Sequence, residues 1–315
     1  MKDYLLIGGT GSLGRAIAKR LLSFDERSRI ILFSRGEHAQ ETVARELSPF
    51  DPHGRLRFRI GDVRNLRRLE MVIRDVGYVV HAAAMKVVPK CEEDPFEAIR
   101  TNVEGAQHVI EASINCGVKR VVAVSTDKCV SASTLYGATK ACAERLFSAA
   151  HVYVGKRDTR FASVRYGNVA HSQGSVIPLW ESILDRGETR VPTTNPFCTR
   201  YWITLDEAVD LILWTLENMR GGEVVVPDMP AYQVNALAEA MGGVPDIIGM
   251  RKAEKLHEDI VSEHEFQDFR RCGPYWVKSE QVDGEQLISP MRSDSARRMG
   301  VEELRERLGA LKVAA

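Results

Sequence analysis

The chain contains 315 residues, and 44% of them are hydrophobic, which is enough to form a sizeable buried core. Lysine plus arginine and aspartate plus glutamate each number 43, so the formal net charge at pH 7 is zero. This balance argues against a general nucleic-acid-binding protein, which needs a strongly basic face. No apolar run approaches the roughly 20 residues that a membrane-spanning helix requires, so we expect no contact with a membrane.

The cysteines and histidines give no metal-binding pattern. The six cysteines are scattered and form no C-x-x-C pair, which disfavours a zinc site. His257 and Glu258 are adjacent but lack the H-E-x-x-H spacing, so we expect no bound metal. Reduced, mostly buried thiols are typical of cytoplasmic proteins. A strand that begins by Tyr4 leaves no room for a signal peptide, which also favours a cytoplasmic location.

Strand-like and helix-like segments alternate through the first half of the chain. Apolar runs predict strands at residues 2–7, 29–33, 56–60, 78–81, 121–124 and 161–165. Helical spacing predicts helices at residues 12–23, at a stretch ending near 47, at 95–116 and at 135–152. Gly117 stands where a helix end favours a left-handed residue. The alternation predicts an α/β fold of the Rossmann type, with a doubly wound parallel sheet.

The alternation breaks near Gly167, and six prolines punctuate the sequence from there to residue 245. We therefore predict an NADP-binding Rossmann domain over residues 1–170 and a smaller, mostly substrate-binding region over residues 171–289. A helix near residues 205–219 and the C-terminal tail, residues 290–315, are expected to pack back on the first domain.

A glycine-rich turn lies between the first strand and the first helix, with the spacing G-x-x-G-x-x-G. Glycines permit a tight turn and the close approach of a pyrophosphate, and the helix N-terminus offers N–H groups and partial positive charge. The turn is therefore predicted to bind a dinucleotide through Gly8, Thr10, Gly11, Ser12, Leu13 and Gly14. This spacing is similar to that of the short-chain dehydrogenase/reductase superfamily.

The second strand ends in Ser34 and Arg35. An acidic residue there would bind the ribose hydroxyls of NAD and repel a 2′-phosphate. A hydroxyl and a guanidinium favour that phosphate instead, because arginine can pair with it through two hydrogen bonds. We therefore predict NADP rather than NAD. Ala82, Ala83 and Ala84 end the fourth strand, and their small side chains would let the cofactor lie against the backbone.

Tyr136 and Lys140 stand one helical turn apart and share a helix face. A nearby ammonium and a positive nicotinamide ring favour a phenolate, which can take the proton of a substrate alcohol. Thr126, Asp127 and Lys128 follow the fifth strand, at the sheet edge where ligands bind in open α/β folds. This adjacent acid and base indicates further proton transfers beyond simple oxidation.

Several motifs together resemble one family. They are His81–Pro89, Asn102–Gly105, Ser125–Lys128, Tyr136–Lys140, Arg165–Asn168, Thr199–Trp202, Leu205–Ala208 and Glu254–Glu258. The set is similar to the CapD-like polysaccharide-biosynthesis branch of the extended short-chain dehydrogenases, especially the soluble inverting UDP-N-acetylglucosamine 4,6-dehydratases. The sequence departs from that branch at Val87, at Lys252 with Ala253, and at Ser131 with Ala132, where histidine, Pro-Gly and Asn-Pro are usual.

The resemblance implies roles for further residues. Asp62 and Val63 would meet the adenine, and Asn102 would contribute to the cofactor site. Substrate contacts would come from Lys86, Asn168, Arg200, Arg251 and Glu258, with the arginines on the diphosphate and Glu258 on a ribose hydroxyl. A homodimer or a larger assembly of dimers, formed through helices 95–116 and 135–152, is also implied.

The implied reaction is loss of water from a UDP-sugar. Tyr136 would take the C4 hydroxyl proton while hydride passes to NADP⁺, Lys128 would remove the C5 proton, and a protonated Asp127 would protonate the departing C6 hydroxyl. Hydride return to C6 and protonation of C5 from the opposite face would complete the cycle. A UDP-sugar 4-epimerase, a C5-retaining dehydratase and a non-catalytic NADP-sensing protein remain as alternatives.

Overall fold

The computed structural model describes residues 3–24 and 27–314, and side chains as far as residue 311. The strands are β1 (Tyr4–Ile7), β2 (Ile30–Ser34), β3 (Leu56–Ile60), β4 (Tyr78–His81), β5 (Arg120–Val124), β6 (Arg160–Val164), β7 (Asn168–Val169), β8 (Arg190–Thr193), β9 (Thr199–Ile203), β10 (Val224–Pro227), β11 (Ala231–Gln233), β12 (Val244–Ile247), β13 (Asp259–Val261), β14 (Phe269–Cys272), β15 (Tyr275–Lys278) and β16 (Met291–Arg292). The helices are α1 (Ser12–Phe24), α2 (Glu37–Leu47), α3 (Leu66–Ile73), α4 (Val88–Glu93), α5 (Pro95–Ile99), α6 (Gly105–Cys116), α7 (Leu135–Ala149), α8 (His151–Val154), α9 (Val176–Leu184), α10 (Leu205–Asn218), α11 (Val234–Ala240) and α12 (Val301–Ala314).

A nine-stranded sheet forms the centre of the molecule, in the order β14-β15-β10-β6-β5-β4-β1-β2-β3. Every pairing from β10 to β3 is parallel, whereas β15 and β14 add two antiparallel pairings at one edge. The predicted Rossmann-type fold is therefore confirmed. The strand order reverses between β1 and β4, and such a switch point opens a ligand crevice at the carboxyl ends of the strands.

Two apolar layers cover the two faces of this sheet. Successive side chains of a strand point to opposite faces, and β1 shows this, since Leu6 joins one buried cluster and Leu5 and Ile7 join the other. The cluster around Leu6 includes residues of α1, α2 and α10, and the opposite cluster includes residues of α3, α6 and α7. Burial of both faces explains why the central strands are continuously apolar.

The predicted element positions agree closely with the structure. The strands predicted at 56–60 and 78–81 have these bounds, and β2, β5 and β6 each differ from the prediction by one residue at one or both ends. The helix predicted at 95–116 consists of α5, a π-helical segment Arg100–Glu104 and α6, and that predicted at 135–152 divides into α7 and α8. Gly117 adopts a φ of 70°, as the helix end requires. The predicted strand start at Lys2 lies outside the described residues.

The second half of the chain contributes to both regions. Strands β10, β14 and β15 extend the central sheet, and α10 packs against α1. The C-terminal tail, expected to pack on the nucleotide-binding domain, divides between two apolar clusters, and its residues Met291 and Ala296 pack against the cluster around Leu6. Leu304 and Leu308 of α12 instead join Trp180 and Leu237 in the separate apolar cluster of the second half. Within residues 3–24 and 27–314, no helix has the length and apolar character needed to cross a membrane.

A buried ion-pair network joins the two halves behind the sheet edge. Arg165, directly after β6, donates two hydrogen bonds of 2.6 and 2.8 Å to Glu144 of α7, and two of 2.7 and 3.1 Å to Glu265. Burial alone would raise the pKa of both glutamates, but Arg165 outweighs it, lowering the pKa of Glu144 and bringing that of Glu265 to about 2. The network therefore fixes α7 against the C-terminal half.

Replacing Arg165 with leucine should destabilise the protein by about 3–5 kcal/mol, because two buried carboxylates lose their cation. Urea unfolding near neutral pH measures this loss. In the parent protein the depressed glutamate pKa values stabilise the fold above the unfolded-state value of about 4.5, and this contribution is lost as the pH falls towards 2. The difference between variant and parent should therefore shrink on acidification.

The matched control is Arg157→Leu, which changes an exposed arginine of the same region and should alter the unfolding free energy by less than about 0.5 kcal/mol. Equal effects of the two substitutions would contradict a special role for the Arg165 network.

Candidate active site

A cavity of about 600 Å³ lies at the switch point of the sheet. It is lined by nearly all the residues predicted to bind the cofactor: Gly8, Thr10, Gly11, Ser12, Leu13, Gly14, Ser34, Arg35, Asp62, Val63, Ala82, Ala83, Ala84, Tyr136 and Lys140. Parallel strands β1, β2, β3, β4 and β5 bring these segments together, because their carboxyl ends meet at one edge. The cavity is thus lined by the segments that follow five neighbouring strands.

The glycine turn has the geometry that a dinucleotide needs. Gly8 has a φ of 88°, and a Cβ atom there would lie 2.8 Å from the backbone nitrogen of Ala83. A Cβ atom at Gly14 would lie 2.6 Å from the Cα of Gly9, so this glycine lets α1 start close to the turn. A larger side chain would therefore disrupt the floor of the cavity, and these residues fit a bound pyrophosphate.

Arg35 and Asp62 lie side by side at the edge of this cavity. The Arg35 Nη1 atom is 4.0 Å from the Asp62 carboxylate, and the Arg35 side chain is 65% exposed. Burial would raise the pKa of Asp62, but hydrogen bonds from Arg64 and the charge of Arg35 lower it. Asp62 is therefore a charged acceptor held in place by Arg64, and Arg35 keeps a guanidinium available at the end of β2.

Asn102, which was predicted to contact the cofactor, hydrogen-bonds instead with the protein backbone and a neighbouring side chain. Its amide oxygen accepts a 2.8 Å hydrogen bond from the Met85 backbone nitrogen, and its amide nitrogen donates to Met85 oxygen and to Thr139. Asn102 is 2% exposed and does not line the cavity among the described residues. It therefore shapes the loop after β4, from which the Lys86 ammonium donates to the Gln173 carbonyl at 2.9 Å.

A second cavity of about 660 Å³ meets the first one. Lys128 and Asn168 line both cavities, so they lie at the junction where a substrate would face a cofactor. Lys86 lines the first cavity, and Arg200, Arg251 and Glu258 line the second. The predicted substrate residues are thus divided between two adjoining spaces.

Tyr136 and Lys140 are both buried at the junction side of the cofactor cavity. Burial raises the pKa of Tyr136 to about 12, opposed by the charge of Lys128 and a hydrogen bond with Thr126. Burial lowers the pKa of Lys140 to about 8, and its ammonium donates to the Val124 carbonyl at 2.6 Å. In the protein alone, Lys128 rather than the expected Lys140 is therefore the cation that favours the phenolate.

Asp127 and Lys128 form a close ion pair. The Lys128 Nζ atom lies 2.9 Å from Asp127 Oδ1, and Thr126 donates to the same oxygen at 2.9 Å. Asp127 is fully buried, and its Oδ2 atom has no hydrogen-bond partner among the described residues. Burial alone would lower the pKa of Lys128, but the nearby carboxylates raise it well above its ordinary value. In the resting protein Lys128 is therefore an ammonium.

Arg200 does not present a free cation to the second cavity. Its guanidinium donates to Glu254 at 2.8 Å and to the Leu256 carbonyl at 3.1 Å, and it is 8% exposed. The exposed Arg251 is the better candidate for a diphosphate. Sequence reasoning did not select Glu254 and Tyr232, which also line this cavity. Glu254 lies within a motif already noted, whereas no sequence signal marks Tyr232.

Comparisons with known proteins agree with this architecture. A family model described as polysaccharide biosynthesis protein matches residues 4–279. The UDP-N-acetylglucosamine 4,6-dehydratase (inverting) of Campylobacter jejuni subsp. jejuni serotype O:23/36 (strain 81-176) is 41% identical over 283 residues, covering 87% of this chain and 83% of that protein. The UDP-glucose 4-epimerase of Rickettsia akari (strain Hartford) is 36% identical over 329 residues, covering 98% and 95%.

Among solved structures, Pen from Bacillus thuringiensis superimposes with a TM-score of 0.91 at 34% sequence identity, covering 98% of each chain. The fold, the cavity at the switch point and the match over residues 4–279 lead to the same assignment. The chain belongs to the polysaccharide biosynthesis protein family.

Proposed function

We propose that the protein is an NADP-dependent UDP-N-acetylglucosamine 4,6-dehydratase that inverts C5. The observation that carries the proposal is the Asp127–Lys128 pair, whose lysine lines both cavities, whose aspartate is fully buried against that lysine, and whose charges act on Tyr136. A buried acid in contact with a half-buried amine can take a proton from one carbon atom and give a proton to the hydroxyl on the neighbouring carbon atom. The 41% identity with an inverting dehydratase supports the same reaction.

Chemistry begins at the C4 hydroxyl of the sugar. A bound nicotinamide supplies the hydride acceptor and the hydride donor for the cycle. Tyr136 accepts the hydroxyl proton, and its deprotonated form is stabilised by the Lys128 charge and the Thr126 hydrogen bond. The C4 ketone then acidifies the neighbouring C5 hydrogen.

The Asp127–Lys128 pair performs the elimination. The resting ammonium passes one proton to Asp127, which leaves a neutral amine and a neutral carboxylic acid 2.9 Å apart. Lys128 takes the C5 proton while Asp127 gives its proton to the departing C6 hydroxyl, and water leaves. The pair thereby returns to ammonium and carboxylate, so its protons balance over the step. Return of the hydride to C6 and protonation of C5 from the opposite face would give the inverted product, and the proton that Tyr136 took from the C4 hydroxyl, released through solvent, balances the proton that C5 receives.

The alternatives differ in what they need from this pair. A UDP-sugar 4-epimerase needs oxidation at C4 alone. The 36% identity with the UDP-glucose 4-epimerase of Rickettsia akari supports this alternative. A C5-retaining dehydratase would reprotonate C5 from the original face. A cofactor sensor would need neither Tyr136 nor Lys140, yet both line the cavity. The buried acid–amine pair favours the dehydratase.

Replacing Lys128 with alanine should reduce dehydration of UDP-N-acetylglucosamine by roughly 10²–10⁴-fold, because the C5 base is lost. NADP⁺ binding should remain, since the glycine turn is untouched. Mass spectrometry of the product detects loss of one water, and proton NMR in heavy water reports the configuration at C5.

The exposed Lys156→Ala variant is the control and should dehydrate at the parent rate. Dehydration by Lys128→Ala at the parent rate would refute the base assignment. A parent protein that alters stereochemistry at C4 without changing mass would establish the epimerase, and one that leaves the sugar unchanged would favour the sensor.

The cofactor preference is proposed to come from Arg35. The residues that line the first cavity would hold the dinucleotide, with its pyrophosphate at Gly8, Gly11 and Gly14. The end of β2 supplies Ser34 and Arg35 but no carboxylate. A guanidinium that is 65% exposed can turn to a 2′-phosphate at little cost in burial.

Arg35→Gln should weaken NADP⁺ binding by about 10–100-fold, the equivalent of one hydrogen-bonded charge pair, and change NAD⁺ binding much less. Calorimetric titration of both nucleotides measures the two affinities. Arg45→Gln, on an exposed position of α2, is the control. Equal losses for NADP⁺ and NAD⁺ in the Arg35 variant would refute phosphate recognition by this residue.

We also propose a homodimer formed through α5, α6, α7 and α8. Phe96 and Tyr153 are each 73% exposed at the ends of this helical surface, which supports an apolar contact there. Sedimentation equilibrium should give twice the mass of one chain, and Phe96→Glu with Tyr153→Glu should shift it towards the monomer. Ile288→Glu, at an exposed apolar residue elsewhere, should leave the dimer intact. A monomeric parent protein would refute the proposal.

Each of the six cysteines is a free thiol in the described structure. Because cytoplasmic proteins keep their thiols reduced, the free thiols support our proposal that the protein is cytoplasmic.

A further inference from the structure

Lys128 contacts a second carboxylate besides Asp127. The Oε1 atom of Glu258 lies 3.5 Å from the Lys128 Nζ atom and 3.8 Å from the Arg200 Nε atom. Glu258 is only 4% exposed, although it lines the second cavity. Its carboxylate is therefore held against two cations instead of projecting freely towards a ribose, the role that the sequence suggested.

The backbone around Glu258 is fixed by a buried serine. The Glu258 nitrogen donates to Ser293 Oγ at 2.9 Å, and the Ser293 nitrogen donates to the Glu258 oxygen at 2.9 Å. Ser293 is fully buried and its hydroxyl lies 2.7 Å from that of Thr199 in β9. Glu258 is thus held through Ser293, which directly follows β16 and contacts Thr199 of strand β9, so its position does not depend on Lys128.

Charges alternate along the line Glu254, Arg200, Glu258, Lys128 and Asp127. Three carboxylates and two cations leave one negative charge in excess. The Glu258 Oε2 atom and the Asp127 Oδ2 atom are both buried without a hydrogen-bond partner among the described residues. The line can therefore accept a further proton at either of these oxygens, next to the proposed reaction site.

We propose that Glu258 is a positioning residue that holds the Lys128 ammonium between turnovers and sets the pH range in which Lys128 can take the C5 proton. This inference rests on the proposed dehydratase function. The proton stays within the cluster, since the ammonium must pass it to a carboxylate before the free amine can act. Glu258 opposes that transfer by stabilising the charged form of Lys128.

The surroundings of Lys128 agree with this assignment. Burial lowers the pKa of Lys128, the charges of Asp127 and then Glu258 raise it, and Arg200 lowers it. The phenols of Tyr136 and Tyr232 also face the ammonium, and its charge favours their ionised forms. Removing the Glu258 charge leaves one anion and one competing cation beside Lys128, so the amine should lose its proton at lower pH.

The test is Glu258→Gln, which removes the charge and keeps the shape. In the NADP⁺-loaded enzyme, the ratio of kcat for dehydration at about pH 8 to that at about pH 6 should fall at least about threefold, because without the Glu258 charge the Asp127–Lys128 pair loses its shared proton to solvent at lower pH, and Asp127 then has no proton for the C6 hydroxyl. An unchanged ratio, with a parent enzyme that dehydrates the sugar, would overturn the inference.

The matched control is Glu254→Gln, which removes a carboxylate from Arg200 but not from Lys128. It should raise KM and leave the ratio of kcat values unchanged, as expected for a residue that holds the backbone of Arg251, the proposed diphosphate ligand. If both variants raise KM and neither changes the pH profile, Glu258 is merely a binding residue. A parent enzyme that releases no water would instead contradict the proposed function itself.

A direct measurement covers the case in which Glu258→Gln is too slow to assay. NMR of ¹⁵N-lysine-labelled enzyme follows the Lys128 ammonium signal, identified by its loss in Lys128→Ala. The signal should disappear at lower pH in Glu258→Gln than in the parent protein and in Glu254→Gln. Persistence to the same pH in all three proteins would refute the assignment.

Discussion

The buried contact between Lys128 and Asp127 is the interaction on which the site depends. An ion pair taken out of water is stable only when its geometry is good and further hydrogen bonds support it. Here Thr126 donates to the same carboxylate oxygen that Lys128 contacts, and Asp127 is fully buried. The pair therefore holds a fully buried acid against an amine that lines both cavities and whose side chain is 26% exposed.

The backbone explains why this pair can form where it does. The Asp127 nitrogen donates to the Tyr166 carbonyl, which fixes the segment after β5 to the segment after β6. Gly137 lets α7 pass against the Lys128 carbonyl, where a Cβ atom would collide. A Cβ atom at Gly167 would lie 3.4 Å from Asp127 Oδ2. Small residues on two neighbouring elements thus bring Tyr136 close to the pair.

Residues close together in sequence were predictable, and those assembled by tertiary contacts were not. The glycine turn, Tyr136 with Lys140, and Asp127 with Lys128 each lie on one strand–helix unit, so local pattern and the parallel sheet indicated their position. Asn102 was assigned to the cofactor site by the family resemblance alone, and its amide instead forms hydrogen bonds with the Met85 backbone. Sequence spacing gives no information on which partner a buried amide finds.

The partner of a charged side chain was still harder to predict than the position of that side chain in the fold. Arg200 was expected to bind a diphosphate, yet its guanidinium donates a hydrogen bond to the carboxylate of Glu254, which is 54 residues away in the chain. The phenolate of Tyr136 was expected to depend on Lys140, whose ammonium is instead bound by the Val124 carbonyl. In both cases the hydrogen-bond partner of the cation is a residue distant in the chain or a backbone carbonyl. The alternation of apolar and polar residues does not reveal such a partner.

The same distant partners connect Arg251, which we propose binds the substrate diphosphate, with the proposed catalytic pair. Glu254 and Arg251 come from one loop of the second half, and Arg200 links that loop to Glu258 and thus to Lys128. An anionic substrate that approached Arg251 would add negative charge at one end of this alternating line. Since each member is buried or half-buried, the effect would be weakly screened by solvent. A bound anion would then alter the proton balance of the proposed catalytic pair through contacts that already exist in the protein alone.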